Sequence, residues 1–288
     1  MVEKQIRFGV NINAKDSGGD ALAKLKDVEA AGVDIALVSD HLGAHAPFPL
    51  LAAAAASTST VRLGTLVLDA LFYRSALLAR DIAEVDLLSG GRLEVGLGAG
   101  YVKEELDLVG LPFPGPSARV DTLANIVTEL RKFLCDPHHV PAPIQSPPPI
   151  MIAGAGDRIL TLAAKHAEIV NLATMAIPTF DRLRDRVDFI GRQAGDRTAD
   201  LELSLGTLAF SIREKPDLSY VHALFARQAP GITEKEVLNS PGVLYGSPAH
   251  VAQSIQRLRD EFGITYVTFN DPDLDDLNEV IEEVRKGR

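Results

Sequence analysis

A single cysteine, Cys135, stands among the 288 residues. One thiol excludes an internal disulfide framework and a multi-cysteine metal site. Positive charge is also scarce: 29 Lys and Arg against 39 Asp and Glu leave a net charge of −10. An acidic chain without a long basic run is a poor match for nucleic acid or an anionic membrane as main partner. Long apolar runs are missing as well. The longest, residues 50–56, falls far short of the ~20 needed to cross a bilayer. The opening Met-Val-Glu-Lys-Gln has no apolar signal core, so a cytoplasmic protein is expected.

Enough is present for a large core: 46% of the residues are hydrophobic and 24% charged. The length suits two domains of ~150 residues each, or one (β/α)8 barrel of ~250. Strand-like runs occur at 7–12, 34–39, 61–68, 93–98, 149–153, 168–173, 201–211 and 265–270. Most are continuously apolar, as parallel strands buried on both faces require. Helical stripes lie between them, such as Leu78, Ile82 and Val85 before the stop Ser89-Gly90-Gly91. Another runs through Leu160, Ala163, Ala164 and Ala167. A third, Val251, Ile255, Leu258 and Phe262, starts with Ser247 as N-cap and Pro248 in the first turn. Eight strands with intervening helices predict an α/β fold, a (β/α)8 TIM barrel. An open doubly wound sheet accommodates the same alternation.

Two connections, 101–119 and 212–245, are too long for plain loops. In a barrel both become insertion segments at the C-terminal face, where active-site lids sit. The proline-rich stretch 141–149 has the look of a domain linker. We read it as a stiff connector inside a single domain spanning 1–288, because the barrel needs both halves to close.

Asp40-His41 closes the second strand. At a barrel mouth, a carboxylate can orient an imidazole that takes or gives a proton. A turn aspartate beside a structural histidine has the same appearance, and position alone does not separate them. His41 and His45 share a metal-ligand spacing only if helical, and Gly43 and Pro47 make this segment a loop. With His138-His139 in the connector and no His-x-His in the first strand, no metal site is expected.

In Gly96-Leu97-Gly98-Ala99-Gly100, Tyr101 takes the place of the third glycine of a dinucleotide fingerprint, so that site is not expected. Alternating glycines in a strand instead signal a close approach, by a packed helix or a flat ring. Gly154-Ala155-Gly156-Asp157-Arg158 opens a helix with bare amides, which suits a phosphate. An ordinary tight turn capped by Asp157 reads the same way. No G-x-x-x-x-G-K-[ST] run supports an ATPase. The strand from Arg62 to Asp69, followed by Phe72-Tyr73-Arg74, is by itself a core strand and a surface turn.

Taken in order, these segments resemble the luciferase-like monooxygenase superfamily, and within it the deazaflavin-dependent oxidoreductases. The most specific are Ser39-Asp40-His41, the segment from Arg62 to Arg74, and Asp86-Leu87-Leu88-Ser89-Gly90-Gly91-Arg92 running on to Gly100. The Pro148-to-Gly156 turn and Gly246-Ser247-Pro248 match as well. The resemblance implies a TIM barrel with an isoalloxazine-type ring across its mouth. Asp40 and His41 then border the ring, with His41 as general acid or base oriented by Asp40. Thr65, Leu66 and Val67 form a bulge behind the ring, with a cis peptide at Leu66–Val67. Gly98, Ala99 and Gly100 pass beneath it, and Gly154, Ala155, Gly156, Asp157 and Arg158 hold the phosphate.

The resemblance also implies a small-molecule substrate and a homodimer. His45, Phe48, Phe72, Tyr73 and Tyr101 are the expected substrate pocket, largely apolar and aromatic. Sugar-phosphate dehydrogenases of this group carry a tryptophan and an acid where this chain has His45 and Tyr101, which disfavours that substrate. The compact length favours coenzyme F420, a hydride carrier that reacts poorly with oxygen. The alternatives are FMN with a monooxygenase reaction, and a non-catalytic coenzyme-binding barrel. A phosphate-binding aldolase would want a lysine at the mouth, where only the loop residue Lys103 comes near.

Overall fold

A computed structural model of the chain describes residues 5–12 and 18–286; the first four residues of the opening segment lie outside it. In chain order the first elements are β1 (Arg7–Ile12), α1 (Gly18–Ala30), β2 (Ile35–Val38), α2 (Pro47–Ser57), β3 (Arg62–Thr65), β4 (Leu68–Asp69), α3 (Ser75–Leu88) and β5 (Leu93–Gly98). There follow α4 (Lys103–Leu108), α5 (Pro116–Leu134), β6 (Ile150–Gly154), α6 (Asp157–His166), β7 (Ile169–Leu172), α7 (Phe180–Ala194) and β8 (Glu202–Gly206). The last are β9 (Ala209–Ser211), α8 (Ser219–Ala226), α9 (Glu234–Leu238), β10 (Val243–Tyr245), α10 (Pro248–Phe262), β11 (Ile264–Asn270) and α11 (Leu274–Lys286).

Parallel pairing runs β1–β2–β3–β5–β6–β7–β8–β11 and returns from β11 to β1, so eight staves close a barrel. The expected fold class is the observed one. Apolar residues line both faces of several staves, for different reasons. Ile35, Leu37, Met151, Ile169 and Tyr266 pack together in one cluster, while Ala36 and Val38 belong to the larger core shared with the helices. At the N-terminal end Glu94 accepts from Arg7 Nη1 and Arg62 Nε, each at 2.6 Å. That end of a barrel is the one associated with stability.

The Leu-Ser-Gly-Gly-Arg run has a structural role. Gly90 and Gly91 take φ of +70° and +82°, turning the chain out of α3. The Arg92 guanidinium then donates to the carbonyls of Ser89, Val61, Ala55 and Thr58, which include the end of α2. The 141–149 connector is held by Gln145, whose amide N–H and side chain donate to the buried Asp86 at 2.8 and 2.7 Å. Staves on both sides of that connector complete the same barrel.

Three expectations need correction. The run 61–68 is not one strand, because the chain breaks after Thr65 and resumes at Leu68. The run 201–211 also divides. Thr207 N–H still donates to Thr268 at 2.7 Å, but Leu208 N–H turns to the Gly242 carbonyl, and β9 pairs with β10 in a separate two-stranded sheet. The segment 101–119, read as loop, contains α4 and the first turn of α5, which begins at Pro116 after the N-cap Gly115. The other insertion packs on its own small core of Leu218, Val221, Phe225, Ile232, Val237 and Val243.

Candidate active site at the barrel mouth

The break in the third stave is a kink. Leu66 N–H donates to Val38 O at 3.0 Å, the Leu66–Val67 peptide is cis as the resemblance implies, and Thr65 Oγ1 bonds the Gly96 backbone at 2.9 Å. This kink is what approaches β5. A β-carbon at residue 96 would collide with the Thr65 carbonyl, and one at residue 98 would lie 2.8 Å from Val67 Cγ2. The alternating glycines therefore answer to the neighbouring stave rather than to a helix. A ring is not needed to explain them.

The kink, Gly98, Ala99 and Gly100, and Ala153, Gly154 and Ala155 wall a cavity of about 460 Å³ that Asp40 and His41 also line. His41 Nδ1 lies 2.9 Å from Glu105 Oε1, on α4. Asp40 does something else. Its Oδ2 accepts from the Tyr73 hydroxyl at 2.9 Å and from Asp69 N–H at 3.2 Å. The expected orientation of His41 by Asp40 is thus corrected: Glu105 holds the ring, and Asp40 braces the turn after the third stave. Tyr101 meets His41 edge-on, with ring centroids 5.9 Å apart.

Burial raises the Asp40 carboxyl above its ordinary value, against the Tyr73 and Asp69 hydrogen bonds and the nearby His41. Asp69 is raised too, by burial first and then by the negative charges of Asp40 and Glu105. Burial and Asp40 push the Tyr73 hydroxyl well above the usual phenol range. Tyr73 is therefore a hydrogen-bond donor and not a base.

Of the five expected phosphate residues, Gly154 and Ala155 line the cavity, together with Ile159 in the first turn of α6, whereas Gly156, Asp157 and Arg158 do not. Gly154 is required by packing, since a β-carbon there would run into Ile159. Gly156 is an N-cap without a side-chain bond, so the first-turn amides lack a side-chain cap. Asp157 pairs with Arg186 at 2.5 Å. Arg158 pairs with Asp121 and donates to Ser117 O at 2.8 Å, so it is committed to α5 rather than turned to the mouth. Among the described residues, the Lys or Arg that lines the cavity is Arg119.

The five expected substrate-pocket residues separate. His45, Phe48, Phe72 and Tyr73 line a second chamber, also walled by Asp40 and His41, while Tyr101 lines the mouth cavity. Sequence reasoning missed Glu105, Asp69 and Arg119. The available signal was the acidic pair Glu104-Glu105 in a segment read as loop. Among the described residues no group of three His, Cys, Asp or Glu could hold a metal ion. Nor is any helix there long and apolar enough to cross a membrane.

Residues 5–266 match the family model of luciferase-like monooxygenases. Over 124 residues the chain is 40% identical to an F420-dependent glucose-6-phosphate dehydrogenase of Beutenbergia cavernae, covering 40% of this chain and 37% of that one. The alignment thus spans well under half of that relative's length. Among solved structures, an F420-dependent secondary alcohol dehydrogenase in complex with an F420–acetone adduct is similar, with TM-score 0.78 and 19% identity over 98% of this chain and 100% of that one. A long-chain alkane monooxygenase gives TM-score 0.79 and 16% identity over 99% and 92%. At these identities the likeness is one of fold.

Proposed function

The chain belongs to the luciferase-like monooxygenase family, and from that membership we propose that it is an oxidoreductase using coenzyme F420 on a small organic substrate. We take the chain as one barrel domain, acting in the cytoplasm as a homodimer. The observation that carries the reading is a cavity in which a kinked stave and a glycine-lined wall face an imidazole already held by a carboxylate. The similarity to an F420-dependent dehydrogenase supports the choice of cofactor.

The residues fit a flat tricyclic group. Leu66, Val67, Ala99, Ala153 and Ala155 offer apolar walls without bulk, and the bare first-turn amides of α6 suit a phosphate at a positive helix end. Gly100 has φ +74°, and a β-carbon there would meet the Asp69 carboxylate, so the floor stays open only with glycine. When bound, the deazaflavin supplies a carbon that carries a hydride. The protein's part is to orient, exclude water and manage the proton. Glu105 accepts from Nδ1–H of His41, which fixes the ring and leaves Nε2 to give or take the substrate proton. Asp40 and Tyr73 hold the wall that carries His41.

Titration of the purified protein with F420 and with FMN, followed by ring absorbance, tests this reading. F420 is expected to bind at least about ten-fold more tightly, a difference of about 1.4 kcal/mol. Equal or tighter FMN binding would move the protein to the oxygen-using side of the family. Binding of F420 without turnover on any substrate would reduce it to a carrier.

A further inference from the structure

Polar side chains are unevenly placed around the mouth cavity. Asp40, His41, Asp69, Tyr101, Glu105 and Arg119 all come from the chain at or after the ends of the second to fourth staves. Among the described residues the far side has one, Asn171 on β7. In the closed barrel β7 is the sixth of eight staves and β2, whose end carries Asp40 and His41, is the second, so Asn171 stands across the barrel from them. Its neighbours in the cavity wall are Ala153, Ala155, Ala173 and Met175.

Asn171 points into the barrel, because Ile169, two residues earlier on the same face, packs in the interior cluster with Met151 and Tyr266. Ser204 lies in register beside it on β8 and is fully buried. Asn171 Nδ2 donates to Ser204 Oγ at 2.9 Å, which anchors the amide and leaves Oδ1 over. The residue is 7% exposed, yet Oδ1 takes no hydrogen bond from a described residue and is not sealed in, so it opens on the cavity. An acceptor in such a place loses stability when a ligand covers it without donating to it.

We propose that Asn171 Oδ1 accepts a hydrogen bond from the ring hydroxyl of F420, and that this residue selects F420 over FMN. The inference rests on the oxidoreductase reading above and specifies how that site chooses its cofactor. The two rings share a pyrimidine edge with two carbonyls and an N–H, and they differ at the opposite end. There F420 carries one hydroxyl and FMN two methyl groups. A pyrimidine edge needs several partners, which the Asp40 side supplies and the Asn171 side does not. The other end then lies among Ala153, Ala173 and Met175, where one hydroxyl meets one acceptor. Methyl groups fit these walls but bury Oδ1 unpaired, and a site built around a hydroxyl discriminates against the analogue that lacks it.

The probes are FMN and the FMN analogue in which a hydroxyl replaces the methyl group at the position of the F420 hydroxyl. Both carry the same phosphate chain and pyrimidine edge, so contacts elsewhere cancel. Binding is followed by ring absorbance in mildly acidic buffer, which keeps the hydroxyl protonated. Wild type is expected to bind the hydroxyl analogue about three- to ten-fold more tightly, the range of one hydrogen bond. Asn171→Leu should abolish that preference by weakening the analogue alone. Asn171→Ser keeps a hydroxyl beside Ser204 but withdraws from the cavity; it should have the same effect, and it decides the matter if the leucine variant does not fold. Asn171→Asp turns one oxygen to Ser204 and the other to the cavity, and should retain the preference.

No preference in wild type, or a preference that survives both Asn171→Leu and Asn171→Ser, would overturn the inference. Equal losses of FMN and analogue would make Asn171 a packing residue and overturn it as well. A preference lost in Asn171→Asp as fully as in Asn171→Leu would make the amide a donor and overturn the acceptor role. F420 is titrated in parallel. F420 binding normally without any hydroxyl preference sinks this inference alone, whereas failure of F420 and both flavins to bind removes the cofactor reading and this inference together.

Discussion

Glu105 and His41, 64 positions apart in the chain, meet with Oε1 2.9 Å from Nδ1. The contact exists because α4 places Glu105, in its first turn, against the loop after β2. His41 is 39% exposed on its side chain and Glu105 15%, so the carboxylate is the more fixed of the two. Glu105 is accordingly a positioning residue, and His41 is the group that faces ligand.

That division predicts a non-additive pair. His41→Ala should lower turnover by roughly 10²–10⁴ with cofactor affinity retained, the contribution of one placed acid or base. Glu105→Ala should cost about 10- to 100-fold, the effect of a ring free to misalign. In the double variant the Glu105 change should add nothing, because there is no ring left to hold. Steady-state kinetics on the four proteins decide it. Multiplicative losses would give Glu105 a role of its own.

The kink in the third stave makes a second prediction, about stability. Gly96→Ala puts a methyl group against the Thr65 carbonyl between two backbones that are both pinned in the barrel. Overpacking of this kind costs about 1–3 kcal/mol, so the melting temperature should drop by several degrees or more. Gly191 in α7 is the control, since a β-carbon there meets nothing within 4 Å. Gly191→Ala should stabilise by about 0.5–1 kcal/mol through helix propensity. Thermal melts of both variants check the contrast.

How much of this was readable from residues alone follows from the range of each contact. The fourth stave, β5, begins at Leu93 and ends at Gly98 as its pattern requires, because an apolar run bounded by turn glycines is a local signal. Ser247 and Pro248 begin α10 for the same reason. The split after Gly206 was not readable, since it depends on Gly242 capturing the Leu208 amide from a distant segment. Asp40 sits beside His41 in the chain and was the natural partner, yet Tyr73 and the Asp69 amide take its carboxylate. Adjacency in sequence puts neighbours on different sides of an extended backbone, so the partner of His41 had to come from another element.

The pH dependence of stability should carry the mark of that buried carboxyl. Burial raises the folded-state value of Asp40 above its ordinary 3.8. The folded state then holds the proton more tightly than the unfolded chain. The resulting stability is complete below about pH 3.8 and is lost as pH rises through the raised value. Asp40→Asn keeps an acceptor for Tyr73 and cannot ionise. Its melting temperature relative to wild type should therefore climb between acidic and neutral pH, even as activity falls. A difference that stays flat or narrows over that range would show that Asp40 is not strained when charged.

The last prediction concerns the phosphate. Sequence reasoning gave Arg158 a share in binding it, but the guanidinium is held by Asp121 and the Ser117 carbonyl, on an exposed flank. Exposed pairs contribute about 0–1 kcal/mol, so Arg158→Ala should change cofactor affinity by less than about five-fold. The amides at the start of α6 should matter more, and one can be deleted without disturbing the helix. Asp157 is the first helical residue, a position that accepts proline, and Gly156 before it has φ −79° and ψ 153°, the conformation a following proline favours. Asp157→Pro removes that N–H together with the Arg186 ion pair, so Asp157→Ala serves as the control for the lost pair. The proline variant should bind cofactor more weakly than the alanine variant by about 1–3 kcal/mol, the scale of a hydrogen bond to a charged group. If both bind alike while Arg158→Ala loses ten-fold or more, the phosphate is held by the side chain, and the salt bridge to Asp121 must open to admit it.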